Sequence, residues 1–299
     1  TGSAAETNMA VFEFGSIWQT QPDGYPTLIA LSSEGDSSED ESNQDSTTGF
    51  VDVEVNDLAG SGTSDDPYMI TNASELQAME DDLDAHYKLG NDIDASVTVN
   101  SNAGNEFTPI GGVNESFTGT LNGAGYTITE ITIDQQGQSN VGLFGVMNGT
   151  VMNIQINAAD VTGQGDFPNG VGILAGRIGL SGEVMDTETS GSVAGSEYTG
   201  GIAGLAVGNI TGSASSATIS ITDGRGRLGG LVGGLGNTTG SSAYIENSNA
   251  SGAVNGGSGQ RIGGLVGNQF SNTSIKNSYA TGSISGDRNT GGLVGLSYG

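Results

Sequence analysis

Gly230-Leu231-Val232-Gly233, Gly264-Leu265-Val266-Gly267 and Gly292-Leu293-Val294-Gly295 are three copies of one four-residue core. Gly142-Leu143-Phe144-Gly145 and Gly201-Ile202-Ala203-Gly204 are near copies, and Ile173-Leu174-Ala175-Gly176 is a variant without the first glycine. The closing glycines Gly145, Gly176, Gly204, Gly233, Gly267 and Gly295 fall 31, 28, 29, 34 and 28 residues apart. That regularity is the mark of a repeat architecture with a unit of roughly 30 residues.

Working outward from the core, each unit carries a second similar segment. Ile245-Glu-Asn-Ser-Asn-Ala-Ser-Gly252 matches Ile275-Lys-Asn-Ser-Tyr-Ala-Thr-Gly282 and, more loosely, Val184-Met-Asp-Thr-Glu-Thr-Ser-Gly191. A short alternating piece follows: Ala253-Val-Asn-Gly256, Ser283-Ile-Ser-Gly286 or Ser192-Val-Ala-Gly195. One unit therefore reads as about three short strands, none able to bury an apolar face alone. Stacking successive units buries it, so the expected fold is all-β, a parallel β-helix with Leu, Ile and Val of every coil lining one interior. Asn153, Asp186, Asn247 and Asn277 occupy corresponding places and read either as a hydrogen-bonded ladder or as solvated turn residues. The unit at 201–224 has Ala214-Ser-Ser-Ala217 where the Asn-Ser segment is expected, which leaves its register open.

Composition divides the 299 residues in two. Residues 1–139 hold 25 acidic and 1 basic side chain and 15 glycines; residues 140–299 hold 9 acidic, 6 basic and 38 glycines. So many glycines argue against helix, and their spacing suggests regular tight turns. The formal charge of −27 repels phosphate and excludes nucleic acid as a natural partner. Without cysteine there is no disulfide, zinc-thiolate or cysteine nucleophile. No apolar run reaches the roughly 18 to 20 residues of a membrane span. Two lysines against 34 acids suit a protein working in high salt, so the expected source is a halophilic, archaeal microbe.

These repeats resemble the GLUG-motif repeats of microbial surface proteins, a family known from adhesin-like proteins, immunoglobulin A peptidases and archaeal surface proteins. Gly60-Ser-Gly-Thr-Ser-Asp-Asp-Pro-Tyr-Met-Ile70 is similar to the opening segment of such arrays, and Phe107-Thr-Pro-Ile-Gly-Gly112 and Phe117-Thr-Gly-Thr-Leu-Asn-Gly-Ala-Gly-Tyr-Thr-Ile128 resemble their first coils. The resemblance implies an extracellular, cell-surface location and a β-solenoid architecture rather than an activity. Within that frame, residues 1–31 read as the aromatic closing segment of a preceding module and 32–50 as an acidic disordered linker. Residues 51–139 form the opening segment, and 140–299 the array, which stops eight residues into a new unit and so reads as truncated. One short helix is expected after Asn72, with Glu75 completing a capping box and Leu76, Met79 and Leu83 on one stripe, plugging the first coil.

The chemistry is sparse. Asp92 and Asp94 alternate by two, which would set both carboxyls on one strand face about 7 Å apart, the spacing range used by glycosidases. They are the candidate catalytic pair of an alternative reading, a polysaccharide lyase or glycoside hydrolase; the plain alternative is solvated acid at a strand edge. Asp65, Asp66, Asp81, Asp82 and Asp84 invite a calcium reading that nothing else in the sequence supports, and no other cofactor is implied. His86 is the lone histidine, which disfavours a triad or a multi-histidine metal site. Arg177, Arg225, Arg227, Arg261 and Arg288 fall between repeat cores and could line a face toward an acidic ligand. Sequons occur at Asn72, Asn114, Asn148, Asn209, Asn237, Asn249 and Asn272, candidates for glycosylation. The expected function is a non-enzymatic extracellular solenoid module of a larger protein, an adhesin, stalk or spacer. Its expected partners are surface glycans, other surface proteins and further repeat modules of the same chain.

Overall fold

The computed structural model describes residues 18–20, 26–28, 51, 53–99, 106–164, 170–223, 226–237 and 241–298. Two compact units are present, 1–47 and 48–299. In the first, Trp18–Thr20 pairs antiparallel with Pro26–Leu28. The acidic stretch 32–50, read from sequence as a linker, lies outside the described residues.

The second unit is a parallel β-solenoid of about seven turns. Each full turn holds five strand pieces rather than three, and stacking them coil on coil builds five parallel ladders. Ladder A runs through Tyr68–Ile70, His86–Leu89, Thr120–Asn122, Asn209–Thr211, Tyr244–Glu246 and Ser274–Lys276. Ladder B includes Ile93–Asp94, Thr127–Thr129, Ala214–Ser215, Asn249–Ala250 and Tyr279–Ala280. Ladder C includes Thr132–Gln135, Thr218–Ile221, Val254–Asn255 and Ile284–Ser285. In two coils A, B and C merge into single bent strands, Thr150–Gly163 and Glu183–Gly195. Ladder D holds Gly170–Gly172, Tyr198–Gly200, Arg227–Gly229, Arg261–Gly263 and Thr290–Gly291. Ladder E holds Phe144–Met147, Ala175–Ile178, Ala203–Ala206, Val232–Leu235, Val266–Gln269 and Val294–Ser297. The change in composition at residue 139 falls within ladders that continue on both sides of it.

Alternation within each strand sends one residue per ladder inward. On ladder A the inward column is Tyr87, Leu121, Val151, Val184, Ile210 and Ile245, all buried, with the half-buried Ile275 in the last coil. On ladder C it is Ile133, Val161, Val193, Ile219 and Val254. Ladder B narrows along the axis from Ile128 and Ile156 to Thr189, Ser215 and then Ala250. These columns form one continuous core, the arrangement that lets coils too small to fold singly stabilise one another.

The repeat core is the corner between ladders D and E. Its Leu, as in Leu143, Leu174, Ile202, Leu231 and Leu265, is fully buried at the bend. Its glycines are not turn glycines, contrary to the expectation from their spacing. None of Gly145, Gly176, Gly204, Gly233, Gly267 or Gly295 has a left-handed φ. Each lies where a Cβ would run into backbone: at Gly204 into Val171 and Gly170, at Gly233 into Thr199 and Tyr198, at Gly267 into Arg227 and Leu228. Ladder D of one coil thus packs backbone to backbone on ladder E of the next, a glycine seam along the solenoid. A Cβ at the opening glycine would meet both the next coil's backbone and ladder B: at Gly230 the Gly264 carbonyl and Ala250 Cβ, at Gly264 the Gly292 carbonyl and Ala280 Cβ, each Cβ–Cβ distance being 2.8 Å.

Among the described residues left-handed turning is shared between polar residues, mostly Asn, and glycines outside the repeat core. Asn153, Asp186, Asn247 and Asn277 have φ of 54°, 47°, 52° and 48°, at the bend between ladders A and B. Gly212 holds the same place with φ 62°, which fixes the register of the unit at 201–224. Both readings of these Asn residues therefore apply. They are turn residues, and one rung is bonded, Asn277 Nδ2 donating to Asn247 Oδ1 at 3.2 Å; Asn153 Nδ2 donates instead to the strand residue Asn122 Oδ1 of the preceding coil at 3.4 Å. Because αL costs most residues about 1 to 2 kcal/mol and glycine almost nothing, Asn247→Gly should leave the urea midpoint nearly unchanged. Asn247→Val should lose about 1 to 2 kcal/mol, and equal stability of the two variants would refute the turn assignment.

The residue after each turn builds a hydroxyl staircase inside the wall. The N–H of Thr187 donates to Ser213 Oγ at 3.2 Å, that of Ser213 to Ser248 Oγ at 3.2 Å, and that of Ser248 to Ser278 Oγ at 3.1 Å. Each hydroxyl in turn donates to the carbonyl two residues back, Ser213 to Thr211, Ser248 to Glu246 and Ser278 to Lys276. Thr187, Ser213 and Ser248 are buried, so these bonds satisfy groups that water does not reach.

At the N-terminal end the expected helix is present but short, Ala73–Gln77, continued by a 3-10 turn over Ala78–Asp81. Asn72 Oδ1 accepts from the Glu75 N–H, and Glu75 Oε2 accepts from the N–H and hydroxyl of Thr71. Leu76 and Met79 are fully buried in the solenoid core, while Leu83 packs against it half-buried. At the other end Tyr279 and Tyr298 are exposed, and the last strand of every ladder has a single neighbour.

Candidate functional site

Asp92 and Asp94 flank the buried Ile93 of ladder B, and both point outward. Backbone geometry accounts for the position of each. Asp92 Oδ1 accepts the N–H of Thr127 in the next coil at 2.9 Å, and Asp94 Oδ1 accepts the N–H of Ser96 at 2.9 Å. The hydroxyl and N–H of Ser96 hold the Asp94 carboxyl below the usual carboxylate range. A carboxylate kept anionic by donors suits a turn brace rather than a general acid, which needs a raised pKa.

Five other carboxylates of the opening segment, Glu80, Asp81, Asp82, Asp84 and Glu115, gather around two adjoining clefts. One, of about 920 Å³, lies between Glu80 and Glu115 and is lined by Pro109, Asn114, Gln138 and Ser139 among others. The other, of about 400 Å³, continues past Glu80 to Asp81, Asp82 and Asp84. Desolvation pushes the Glu80 carboxyl above its ordinary value, opposed by the Gly111 N–H, which donates to Glu80 Oε2 at 2.7 Å, and reinforced by Asp81 and Glu115. Asp82 is raised in the same direction by desolvation and by its hydrogen bond with Asp84. Asp81 Oδ2 accepts the N–H of Val55. Among the described residues no group of three or more His, Asp or Glu side chains is placed to hold a metal ion. His86 sits half-buried on ladder A opposite Thr120.

The arginines are drawn together by the coil period. Tyr198, Arg227 and Arg261 are successive residues of one column on ladder D, and Tyr198 is itself buried in a second apolar cluster with Leu205, Val207 and Phe270. Arg177 lies in the neighbouring outward column of ladder E, followed by Leu205, Gly234, Asn268 and Leu296. Arg227 pairs with Glu197 and stacks over the Tyr198 ring, 4.8 Å from its centroid. Arg261 lies 5.7 Å from the ring centroid of Tyr298, which itself stacks on Phe270 at 5.8 Å. Burial raises the Tyr198 hydroxyl above its ordinary pKa, with Arg227 opposing. Adding one period to Arg227, in the unit of 34 residues, lands on Arg261, a signal legible in the sequence once the coils are aligned. Arg288 is exposed, and Arg225 lies outside the described residues.

Of the sequon asparagines, Asn72, Asn114 and Asn272 are exposed, whereas Asn148, Asn209, Asn237 and Asn249 are half-buried. Asn148 Nδ2 donates to Ser116 Oγ at 2.9 Å and Asn209 Oδ1 accepts from the Tyr244 N–H, so a glycan at either would disturb existing bonds. Among the described residues no helix is long and apolar enough to cross a membrane.

Residues 258–285 match the GLUG motif. That segment runs through ladders D, E, A, B and C in order, so the motif is one complete turn of the solenoid. Over 209 residues, 65% of its length, the chain is 36% identical to halomucin of Haloquadratum walsbyi. Over 121 residues, 39% of its length, it is 36% identical to a protein of Evansella cellulosilytica provisionally named as a Gly-rich membrane protein. It spans 2% and 14% of the lengths of these two relatives. A crystal structure from Bacteroides ovatus, of a protein provisionally named as an immunoglobulin A1 protease, superposes with a TM-score of 0.62 at 27% identity, covering 76% of this chain and 69% of that one. The chain is therefore a parallel β-solenoid that carries the GLUG motif as a single turn and is similar in sequence to halomucin and in fold to the Bacteroides protein.

Proposed function

We propose that this chain is a non-enzymatic module of a larger surface-displayed or secreted protein, serving as a spacer or adhesive segment of a halophilic microbe. The observation that carries the reading is the continuous solenoid itself. Its turns share one core and one glycine seam, and the carboxylates nearest a catalytic arrangement, Asp92 and Asp94, are tied to backbone N–H groups. Similarity to halomucin over 65% of the chain supports a surface setting. The excess of acid over base supports work in high salt, where exposed charge is screened.

Antibodies raised against residues 140–299 should label intact cells of the source organism as strongly as lysed ones. Labelling that needs lysis would refute surface display. Release of new reducing ends from a panel of polysaccharides by the purified chain would refute the non-enzymatic role and return attention to the 920 Å³ cleft at Glu80.

A further inference from the structure

Each of the six strands of ladder E runs four residues without a break. The coil that precedes them departs from this pattern. Ile110 lies opposite Phe144 and Phe117 opposite Met147, so six residues stand where the next coil has two. The surplus leaves the wall as a loop, closed by the Gly112 N–H donating to the Glu115 carbonyl at 2.6 Å. Insertions into solenoid repeats gather on one face, often the face that binds. We propose that this loop is one wall of a glycan site, the 920 Å³ cleft, and that its ligand is an uncharged chain of hexopyranose units held by Asn114, Glu115, Gln138 and Ser139.

Three further observations support the assignment. First, the cleft is open. Val113 on the loop is 69% exposed, and Asn114, Glu115, Gln138 and Ser139 around it are all exposed. Its volume falls in the range of roughly 300 to 1,000 Å³ usual for small-ligand sites. Second, its polar side chains are uncommitted. Those nearby are spent on the chain itself: Gln77 on the N–H and carbonyl of Thr108, Asp81 on the Val55 N–H, Asn148 on the Ser116 hydroxyl. The side chains of Asn114, Glu115, Gln138 and Ser139 make no hydrogen bond among the described residues. Glu80, beside them, gives only Oε2 to the Gly111 N–H. Third, the mixture of groups is that of a polyol site. Two amides, a hydroxyl and a carboxylate set donors beside acceptors, and each sugar hydroxyl is both. Pro109 and Val113 add apolar surface for the C–H face of a ring.

The lining selects among ligands. Glu80 and Glu115 repel acidic glycans and phosphates, and no aromatic ring lines the cleft for a nucleobase to stack on. A purely cationic ligand leaves the amides of Asn114 and Gln138 and the Ser139 hydroxyl unused. Hydrogen bonds to an uncharged sugar need no opposite charge, so salt does not screen them. The proposal deepens the adhesive reading by naming its ligand class and rests on that reading for its setting. Binding in solution tests the cleft and cell labelling tests display, so either can fail without the other.

The experiment is isothermal titration of the full chain with cellohexaose, maltohexaose and mannohexaose, and with galacturonate and glucosamine hexamers as charged counterparts. The protein is produced without glycosylation, because Asn114 heads a sequon. At least one neutral hexaose should bind with a Kd below about 1 mM, and its affinity should change less than about twofold between dilute buffer and about 2 M salt. Asn114→Ala and Gln138→Ala should each weaken it about fivefold or more. Glu115→Gln, which keeps the shape of the side chain, should weaken it by a similar factor and decides the matter if either alanine variant melts early. Glu188→Gln makes the same change of charge on ladder B and should alter affinity less than about twofold. No binding of any neutral hexaose, tighter binding of either charged hexamer, or an equal loss from Glu188→Gln would overturn the proposal.

Discussion

Gly204→Val should unfold the middle of the array, with a loss of more than about 4 kcal/mol. A Cβ at Gly204 falls on the backbone of Gly170 and Val171 in ladder D of the preceding coil, and Gly170 in turn has room for none, its own Cβ position lying 2.6 Å from the Gly204 Cα. Ordinary overpacking costs about 1 to 3 kcal/mol because side chains shift. Here both partners are backbone, and the strand Ala203–Ala206 is hydrogen-bonded on one side to Ala175–Ile178 and on the other to Val232–Leu235. The clash is relieved only by breaking a ladder. Gly112 is the control, since a Cβ there meets nothing within 4 Å, and Gly112→Ala should be neutral or stabilising by up to about 1 kcal/mol. Repeat arrays need not unfold in one step, so urea midpoints should be read with amide exchange across residues 170–235. Unchanged protection there in Gly204→Val would show that the seam is not close-packed.

Ser248→Val should cost about 1 to 3 kcal/mol, from a buried N–H losing its partner. The Ser213 N–H loses the Ser248 hydroxyl as acceptor, whereas the Glu246 carbonyl loses one donor and keeps the Gly212 N–H. Ser248→Thr should stay within about 1 kcal/mol of the parent, because Thr187 fills the same place two coils earlier and donates to Met185 in the same way. Ile154 occupies this column too, and its surroundings explain why that is tolerated: the N–H that would need its hydroxyl, that of Ala124, donates to Asn122 Oδ1 at 2.9 Å. Equal stability of Ser248→Val and Ser248→Thr would mean the staircase contributes no net stability.

The repeat period, the inward Leu, Ile and Val columns and the direction of stacking were legible because they are periodic and apolar. What escaped was whatever depends on the distance between segments far apart in sequence. A glycine at Gly233 looks the same whether it is needed for a left-handed turn or for the approach of Thr199 from another coil. The five-strand turn was read as three because ladder D ends just before the Gly-Leu-Val-Gly core and ladder E begins inside it, and the core reads as punctuation rather than strand. Ser213 was hidden because its turn partner is Gly212 rather than Asn, although Asp186-Thr187, Asn247-Ser248 and Asn277-Ser278 carry the pair openly. Asp92 and Asp94 lie exposed on either side of Ile93, and the N–H groups of Thr127 and Ser96 that occupy them come from a neighbouring coil and a following turn, which the sequence does not show.

Because strands lie across the axis, the hydrogen bonds between coils lie along it. A pull on the two ends of the solenoid therefore loads one coil's bonds at a time, as in unzipping. Each coil adds about 4.8 Å to the folded length yet holds a contour of about 100 Å when drawn straight. Such a module is short at rest and can release roughly twentyfold its own length in coil-sized steps, and it can re-form by adding coils to those still folded. A tether built of these turns would yield under load before it parted.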